Sequence, residues 1–308
     1  MSAPDPTVTR PHCYRHPERE TYISCVRCAR PICPECMTSA SVGFQCPDCV
    51  HEGQVSVRQP VTPAGAPVTV TPPYVAYALI AINLAVFGYE FLTGIDQAAN
   101  NWGMYPPAVA SGEFYRLLTS AFLHGSLLHI GFNMFVLYSI GPQVERALGH
   151  VRFAVLYLLA ALGGAVASYV FSPDNTVSVG ASGAIFGLMG ALVIAGPRLG
   201  YDVRQVLILI AINIAIGFAP GGGIDWRAHL GGLVTGAAVA AVFVYAPKSS
   251  QVLWQILGAL AILGVLVMVT MWRTAALQAP LSSYPQAYPQ VGISYTHVIS
   301  GASEEETA

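Results

Sequence analysis

Residues 179–187 read Val179-Gly180-Ala181-Ser182-Gly183-Ala184-Ile185-Phe186-Gly187, which puts a serine where an apolar segment begins. The glycines leave little bulk around Ser182, and the first backbone N–H groups of a helix have no intrahelical partner. Such free donors could hold a developing oxyanion beside the hydroxyl. Taken alone, the motif is more typical of a serine that only caps a helix. Other residues must therefore distinguish a nucleophile from a cap.

A histidine lies at the start of a later apolar segment, Trp226-Arg227-Ala228-His229-Leu230-Gly231-Gly232-Leu233-Val234-Thr235-Gly236. An ionisable side chain in a membrane helix normally faces the protein interior or a water-filled cavity and is a functional-site candidate. The alternative is a packed histidine bonded to a backbone carbonyl. Gly232-x-x-x-Gly236, and the glycines that follow Ser182, allow close helix approach. A rise of about 1.5 Å per residue places both side chains at similar depth, so we predict that Ser182 and His229 meet.

These two motifs, Gly-x-Ser-Gly and Ala-His-x-x-Gly-x-x-x-Gly, resemble those of the rhomboid intramembrane serine proteases. Further family motifs occur in the right order: Glu113-Phe114-Tyr115-Arg116, His124-x-x-x-x-His129-x-x-x-Asn133 and Gly141-x-x-x-Glu145-x-x-x-Gly149. Tyr115 stands where the family usually has Trp. The resemblance spans roughly residues 74 to 246.

The resemblance implies a serine endopeptidase that cleaves transmembrane protein substrates within the lipid bilayer by a Ser182–His229 dyad, without a catalytic cofactor. It also implies that His129 and Asn133 donate to the oxyanion together with the Ser182 N–H. The alternative for these two residues is interhelical hydrogen bonding that only holds the bundle together. Asp225 is interpreted as interfacial, which favours a dyad over a triad. The Gly221-Gly222-Gly223 stretch corresponds to the family's flap, and the fifth span to its substrate gate.

The composition excludes several classes of protein. The chain is 54% hydrophobic and 10% charged, with a mean hydropathy of +0.55, far from the average soluble domain. A net charge of −2 gives no basis for binding nucleic acid, which needs a clustered basic excess. The N-terminal residues lack an apolar core, so no cleavable signal peptide is expected. We predict an all-α polytopic membrane protein.

Seven apolar runs have about the length needed to cross a hydrocarbon core of ~30 Å, although two are short. They cover residues 74–92, 125–142, 151–171, 182–196, 203–219, 226–246 and 252–272. The predicted domains are a zinc-binding module (1–52), a flexible linker that tethers rather than packs (53–72), a six-helix rhomboid core (73–246), a seventh transmembrane helix (247–273) and a disordered tail (274–308).

All seven cysteines lie between residues 13 and 49 and form, with one histidine, four closely spaced pairs: Cys13/His16, Cys25/Cys28, Cys33/Cys36 and Cys46/Cys49. Such pairs are typical of tetrahedral structural zinc, and eight ligands make two sites. The alternative is disulfides, which the odd cysteine count disfavours. His12 and His51 fall outside the pairs.

The order of the pairs resembles a B-box-type zinc finger, in which alternate pairs share a metal. This resemblance implies one ion held by Cys13, His16, Cys33 and Cys36, and a second held by Cys25, Cys28, Cys46 and Cys49. A sequential arrangement stays open. The metals are expected to be structural, and the module leaves room for a cytosolic protein partner.

Arginine and lysine favour the cytoplasmic side of a membrane. With the N-terminus inside, 11 of the 14 basic residues are cytoplasmic, and only Arg116, Arg227 and Arg273 are outside. We therefore predict a multi-pass protein of the cell membrane with a cytoplasmic N-terminus and an external C-terminus. Glu113 and Arg116 then lie in the outer interface, either as a plain ion pair or as internal ties of the first loop.

Two other functions are weighed against a protease. A catalytically silent rhomboid-like protein that binds membrane clients would not need both Ser182 and His229. A transporter would need paired ionisable groups along a path through the membrane, and the sequence offers only the polar cluster described above.

Overall fold

The computed structural model describes residues 11–56, 60–68, 71–199, 202–217 and 224–282. The chain divides into two units, Met1–Pro60 and Val61–Ala308. Each unit has its own core.

The first unit is small and is built around its cysteines. A 3-10 turn (Pro34–Cys36) leads into the antiparallel strands β1 (Thr38–Ser39) and β2 (Phe44–Gln45), and helix α1 (Pro47–Ser56) follows. Ile32 and six of the seven cysteines form its buried cluster. A core with so few large apolar side chains is too small to support a fold of this size without additional cross-links or metals.

The second unit is entirely helical apart from isolated bridges, within the described residues. Its long helices are α2 (Tyr74–Thr93), α6 (Leu127–Leu148), α7 (His150–Phe171), α8 (Ser182–Leu199), α9 (Arg204–Gly217), α10 (Trp226–Tyr245) and α11 (Gln251–Ser282). Three short helices, α3 (Ile95–Trp102), α4 (Pro106–Ala110) and α5 (Arg116–Thr119), lie between α2 and α6.

Five helical stretches in the described part of the chain are long and apolar enough to cross a membrane, and α8 and α9 are shorter apolar helices. Each of the seven predicted spans coincides with one of these helices. The prediction of an all-α polytopic membrane protein is therefore confirmed.

Helices α7, α8 and α10 form the centre of the second unit. A Cβ added at Gly232 would lie 1.9 Å from the Gly183 carbonyl oxygen, and one at Gly236 would lie 2.2 Å from that of Gly187. Any side chain at these positions would force α8 and α10 apart. The close approach predicted from the glycine spacing is confirmed, and it brings the N-terminal ends of the two helices together.

A buried carboxylate joins α2 to α6. Glu145, 1% exposed, accepts hydrogen bonds from the backbone N–H groups of Val75 (3.0 Å) and Ala76 (2.7 Å) at the start of α2. Its Oε1 also lies 2.5 Å from His150 Nδ1. Negative charge at a helix N-terminus is stabilising. Glu145, the central residue of the Gly141-x-x-x-Glu145-x-x-x-Gly149 motif, thus caps the N-terminus of α2 from the neighbouring helix α6.

The linker differs from the prediction. Residues 61–68 form a turn closed by a bridge between Val61 and Pro67, with Ala64 and Ala66 each 1% exposed. Gln255 of α11 donates to the Ala64 carbonyl (2.9 Å). This part of the linker packs against the helical unit, because its small side chains and free carbonyls meet amide donors from α11.

The seventh helix also differs, since it continues nine residues beyond Arg273 to Ser282. The hydroxyl of Thr274 lies 2.9 Å from that of Tyr169, and Gln278 donates to the Ala110 carbonyl (2.6 Å). These polar contacts stabilise a stretch that the sequence assigned to the tail. Residues 283–308 of that predicted tail lie outside the described residues.

Candidate active site

Ser182 is the first residue of α8 and is partly buried. Gly180, two residues earlier, has φ +133°, a backbone conformation that side chains disfavour. Its N–H donates to the Ser120 carbonyl (2.9 Å), and a Cβ there would lie 2.8 Å from the His129 ring. The glycine therefore lets the chain pass between His129 and the serine.

The Nε2 atom of His229 lies 2.8 Å from the Oγ atom of Ser182. His229 stands one turn into α10 and is 5% exposed. The structure thus brings together the two side chains that the sequence expected to meet. A hydroxyl and an imidazole at this distance have the geometry of a nucleophile and its base.

Phe186 orients the imidazole. Its ring stacks on His229 with the centroids 4.2 Å apart and the planes 13° from parallel. Phe186 is four residues after Ser182, so one face of α8 carries both the hydroxyl and the stacking ring. The sequence analysis missed this residue, although the spacing from Ser182 was the available signal.

His129 and Asn133 lie one turn apart on α6 and line the same cavity as Ser182. The N–H of Gly125 donates to His129 Nδ1 (3.3 Å), so a neutral imidazole carries its proton on Nε2, the atom next to Gly180. Asn133 is 7% exposed, and its Nδ2 has no partner among the described residues. Two N–H donors are therefore available at the wall of the cavity that Ser182 also lines.

A cavity of about 600 Å³ connects these side chains. Ser182, His229, His129 and Asn133 all line it, and helix α9 contributes Asn213 and Ile216 to its wall. Further apolar walls come from Leu128, Phe132, Val179 and Ile224. A volume of this size is typical of a pocket that binds a ligand.

Asp225 also lines this cavity. It does not contact the imidazole: Nδ1 of His229 has no partner among the described residues, and both Asp225 oxygens receive other donors. The expectation of a Ser–His pair without an attached carboxylate agrees with these contacts. The expectation that Asp225 lies at the membrane interface stays a prediction; within the protein, the residue is partly buried.

Comparison with known proteins matches residues 111–246 to the Rhomboid domain. The protein YdcA of Bacillus subtilis (strain 168), whose name assigns it to the rhomboid proteases, is 36% identical to this chain over 137 residues. These residues are 43% of this chain and 68% of YdcA. The chain belongs to the rhomboid family.

Two longer relatives share the rhomboid region. Rhomboid protease GluP of Bacillus subtilis is 36% identical over 207 residues, 63% of this chain and 39% of GluP. Rhomboid-type serine protease 2 of Emericella nidulans is 32% identical over 166 residues, 51% of this chain and 33% of the relative. This rhomboid thus spans well under half the length of these two proteins.

His124 of this rhomboid lies in the loop before α6 and is fully buried. Its backbone N–H donates to both carboxylate oxygens of Glu90 (3.1 Å each). Its ring packs edge-on against the ring of His129, with the centroids 5.1 Å apart. Neither ring nitrogen has a partner among the described residues. The buried His124 ring therefore packs against the His129 ring and limits its movement.

The first loop of the rhomboid core is held by Arg116, which is 7% exposed. Its Nη1 donates to the carbonyls of Asn100 (2.7 Å) and Gly103 (3.0 Å), and its Nε donates to the carboxylate of Glu113 (2.6 Å). Hydrogen bonds from Tyr115, the larger effect, and from Arg116 lower the pKa of the Glu113 carboxyl below its usual value. Arg116 is thus an internal tie of the loop, in addition to forming an ion pair.

The first unit contains two clusters of metal-ligand side chains: Cys13, His16, Cys33 and Cys36 in one, and Cys25, Cys28, Cys46 and Cys49 in the other. Within each cluster, the ligand atoms all lie within 4.8 Å of one another. Alternate pairs therefore share a cluster, as the B-box resemblance implied and unlike the sequential alternative. Both clusters could hold a metal ion, and His12 and His51 belong to neither.

Proposed function

We propose that this rhomboid is an intramembrane serine endopeptidase that hydrolyses transmembrane protein substrates. The observation that carries the proposal is the 2.8 Å contact between Ser182 Oγ and His229 Nε2 at the wall of a cavity of about 600 Å³. The rhomboid relatives named as proteases support it.

In this mechanism His229 Nε2 accepts the proton of Ser182 as the oxygen attacks a substrate carbonyl. The resulting imidazolium then protonates the departing amine, which leaves an ester on Ser182. Water then attacks that ester as it gives a proton to the same nitrogen, and the imidazolium returns the proton to the departing Ser182 oxygen, which restores the enzyme. Stacking on Phe186 keeps the imidazole plane fixed between these steps.

The tetrahedral intermediate bears a negative charge on the former carbonyl oxygen. His129 Nε2–H, Asn133 Nδ2–H and the backbone N–H of Ser182 are the proposed donors to it. Asn133 supports this assignment because its buried amide nitrogen has no other partner among the described residues. A donor whose bond forms only with the oxyanion favours the transition state over the substrate.

Substrate is proposed to enter beside α9, the fifth span. This helix lines the cavity through Asn213 and Ile216 and keeps the apolar side chains of Leu207, Ile208 and Ile212 exposed. A loosely covered helix is suited to lateral opening toward lipid. The glycine triplet predicted to form a flap, residues 221–223, lies outside the described residues.

A comparison of substrates tests the proposed function. A single-span reporter with Gly and Pro near its outer end should be cut on the order of tenfold faster in liposomes than a Leu-rich version. The reason is that these residues weaken a helix by about 1 and 3 kcal/mol and free the carbonyl for attack. Quantified fragments on gels provide the measurement. Equal cleavage of a soluble unfolded chain would contradict an intramembrane site.

The positions of the basic residues support a location in the cell membrane with the N-terminus in the cytoplasm. In this orientation, the N-terminal ends of α8 and α10, and with them the active site, are nearer the outer surface. The module with the two clusters is then cytosolic, where a protein partner could bind it.

We further propose that each cluster binds one structural zinc ion. Cysteine thiolates and histidine nitrogen are the ligands that zinc prefers in closed four-coordinate sites, and the eight clustered ligands supply two such sites. When bound, zinc supplies cross-links rather than a reactive group, because each site takes all four of its ligands from the protein. The proposed role of the module is regulation or recruitment.

Metal analysis distinguishes this role from a catalytic one. Wild type should hold about two zinc ions per chain, and Cys36→Ser or Cys49→Ser should lose the ion of its own cluster. His12→Ala and His51→Ala are matched controls that should keep both ions. Deleting residues 1–60, which leaves the packed 61–68 turn in place, should keep reporter cleavage within about tenfold of wild type. Loss of cleavage when this truncated protein meets a chelator would contradict the proposal.

A catalytically silent, client-binding rhomboid is the alternative. Such a protein would not require a serine hydroxyl within hydrogen-bond distance of a histidine, nor free donors beside them. The observed contact therefore favours the enzyme.

A further inference from the structure

We propose that Asp225 is a positioning residue that holds both halves of the Ser182–His229 pair in register without touching either side chain. This inference rests on the proposed protease function. Asp225 lies at the junction of α10, α7 and the loop that enters α8, and its carboxylate receives a donor from each of these three segments.

The first oxygen of Asp225 caps the helix that carries the base. Oδ1 accepts from the N–H groups of Arg227 (3.2 Å) and Ala228 (3.3 Å). The Asp225 carbonyl accepts the first helical hydrogen bond, from the N–H of His229 itself (3.2 Å). The cap thus determines where α10 begins, and His229 stands only four residues later.

The second oxygen joins that helix end to the nucleophile's side of the cavity. Oδ2 accepts from the hydroxyl of Ser178 (2.7 Å), which is four residues before Ser182 in the loop that enters α8. Ser178 is itself fixed by paired backbone bonds with Met104 (2.9 and 3.0 Å). Movement of the Asp225 carboxylate would therefore be transmitted to both Ser182 and His229.

The same oxygen accepts from Ser168 of α7, a fully buried hydroxyl that also contacts Ser172. Because α7 contributes to the buried core of the bundle, this bond ties the Asp225 carboxylate to a central helix of the unit. An ionised carboxylate offers about four acceptor positions, and four donors fill them. No acceptor position then remains for His229, so Asp225 acts through position rather than as the third member of a triad.

Asp225→Asn separates position from charge. Asparagine caps helices as well as aspartate does, and its amide can donate to the two serine oxygens, which also accept. Asp225→Asn should therefore keep kcat within about threefold of wild type, whereas Asp225→Ala should lower kcat on the order of 10- to 100-fold with little change in KM. A carboxylate that stabilises the imidazolium by charge would instead make Asn as damaging as Ala.

The experiment measures kcat and KM for a single-span reporter in liposomes and the rate at which a fluorophosphonate labels Ser182. Asp174→Ala is the matched control: Asp174 lies in the loop between α7 and α8 that also carries Ser178, but its carboxylate accepts from Arg273 (2.7 Å), and the change should leave both rates unchanged. The Ser168→Ala/Ser178→Ala pair keeps the cap and should lower kcat several-fold, which provides a test if Asp225→Ala fails to fold. Melting curves identify misfolded variants.

The inference is overturned by any of three results: normal kcat in folded Asp225→Ala, equal losses in the Asn and Ala variants, or normal kcat in the double serine variant. Ser182→Ala is run alongside. Wild-type cleavage that does not depend on Ser182 would refute the protease proposal and this inference with it. Cleavage that is lost in Ser182→Ala but unchanged in folded Asp225→Ala would refute this inference and leave the protease proposal standing.

Discussion

Ser182→Ala and His229→Ala should each lower reporter cleavage by more than about 10,000-fold, because each removes one member of a pair that acts as a unit. Ser182 loses the attacking oxygen, and His229 loses the nitrogen 2.8 Å away that takes its proton. Combining the two changes should cost little more than either alone. Cleavage is measured in liposomes with a single-span reporter.

The controls separate chemistry from folding. Ser139→Ala makes the same substitution on α6, where the hydroxyl donates to the Phe135 carbonyl of its own helix (2.7 Å). It should remain fully active, and all variants should melt as cooperatively as wild type. A fluorophosphonate should label wild type and Ser139→Ala but not the other two. Cleavage that survives in Ser182→Ala would end the assignment of a serine nucleophile.

Asn133→Ala should lower kcat on the order of 100- to 1,000-fold with KM little changed, because it removes a donor that bonds only the oxyanion. If His129 donates to the same oxygen, His129→Ala combined with Asn133→Ala should cost less than the product of the single losses. Initial rates over a range of reporter densities in the bilayer give both constants.

The rival role of Asn133, holding helices together, predicts a different pattern. The melting temperature would fall, and activity would fall only as the folded fraction does. Asn101→Ala, an exposed change on α3, provides the baseline for both measurements. A normal kcat in folded Asn133→Ala would remove this residue from the oxyanion site.

Much of this protein is determined by local sequence. Each span is an apolar run whose backbone must satisfy its own hydrogen bonds in lipid, so hydropathy alone locates the helices. Ser182 and His229 could be paired in advance because glycine spacing marks the faces on which α8 and α10 meet. Paired cysteines likewise marked the metal-ligand residues, since short spacings bring thiols together whatever the rest of the chain does.

Only the tertiary structure decided which distant groups meet. Phe186 and Asp225 have no motif of their own; their roles arise from the ring and the hydroxyls that other helices bring beside them. The packed 61–68 turn similarly depends on amide donors from α11, and the extended end of α11 depends on the Ala110 carbonyl that accepts from its Gln278. A polar side chain's need for a partner can be read from the sequence, but the identity of that partner depends on how the helices pack.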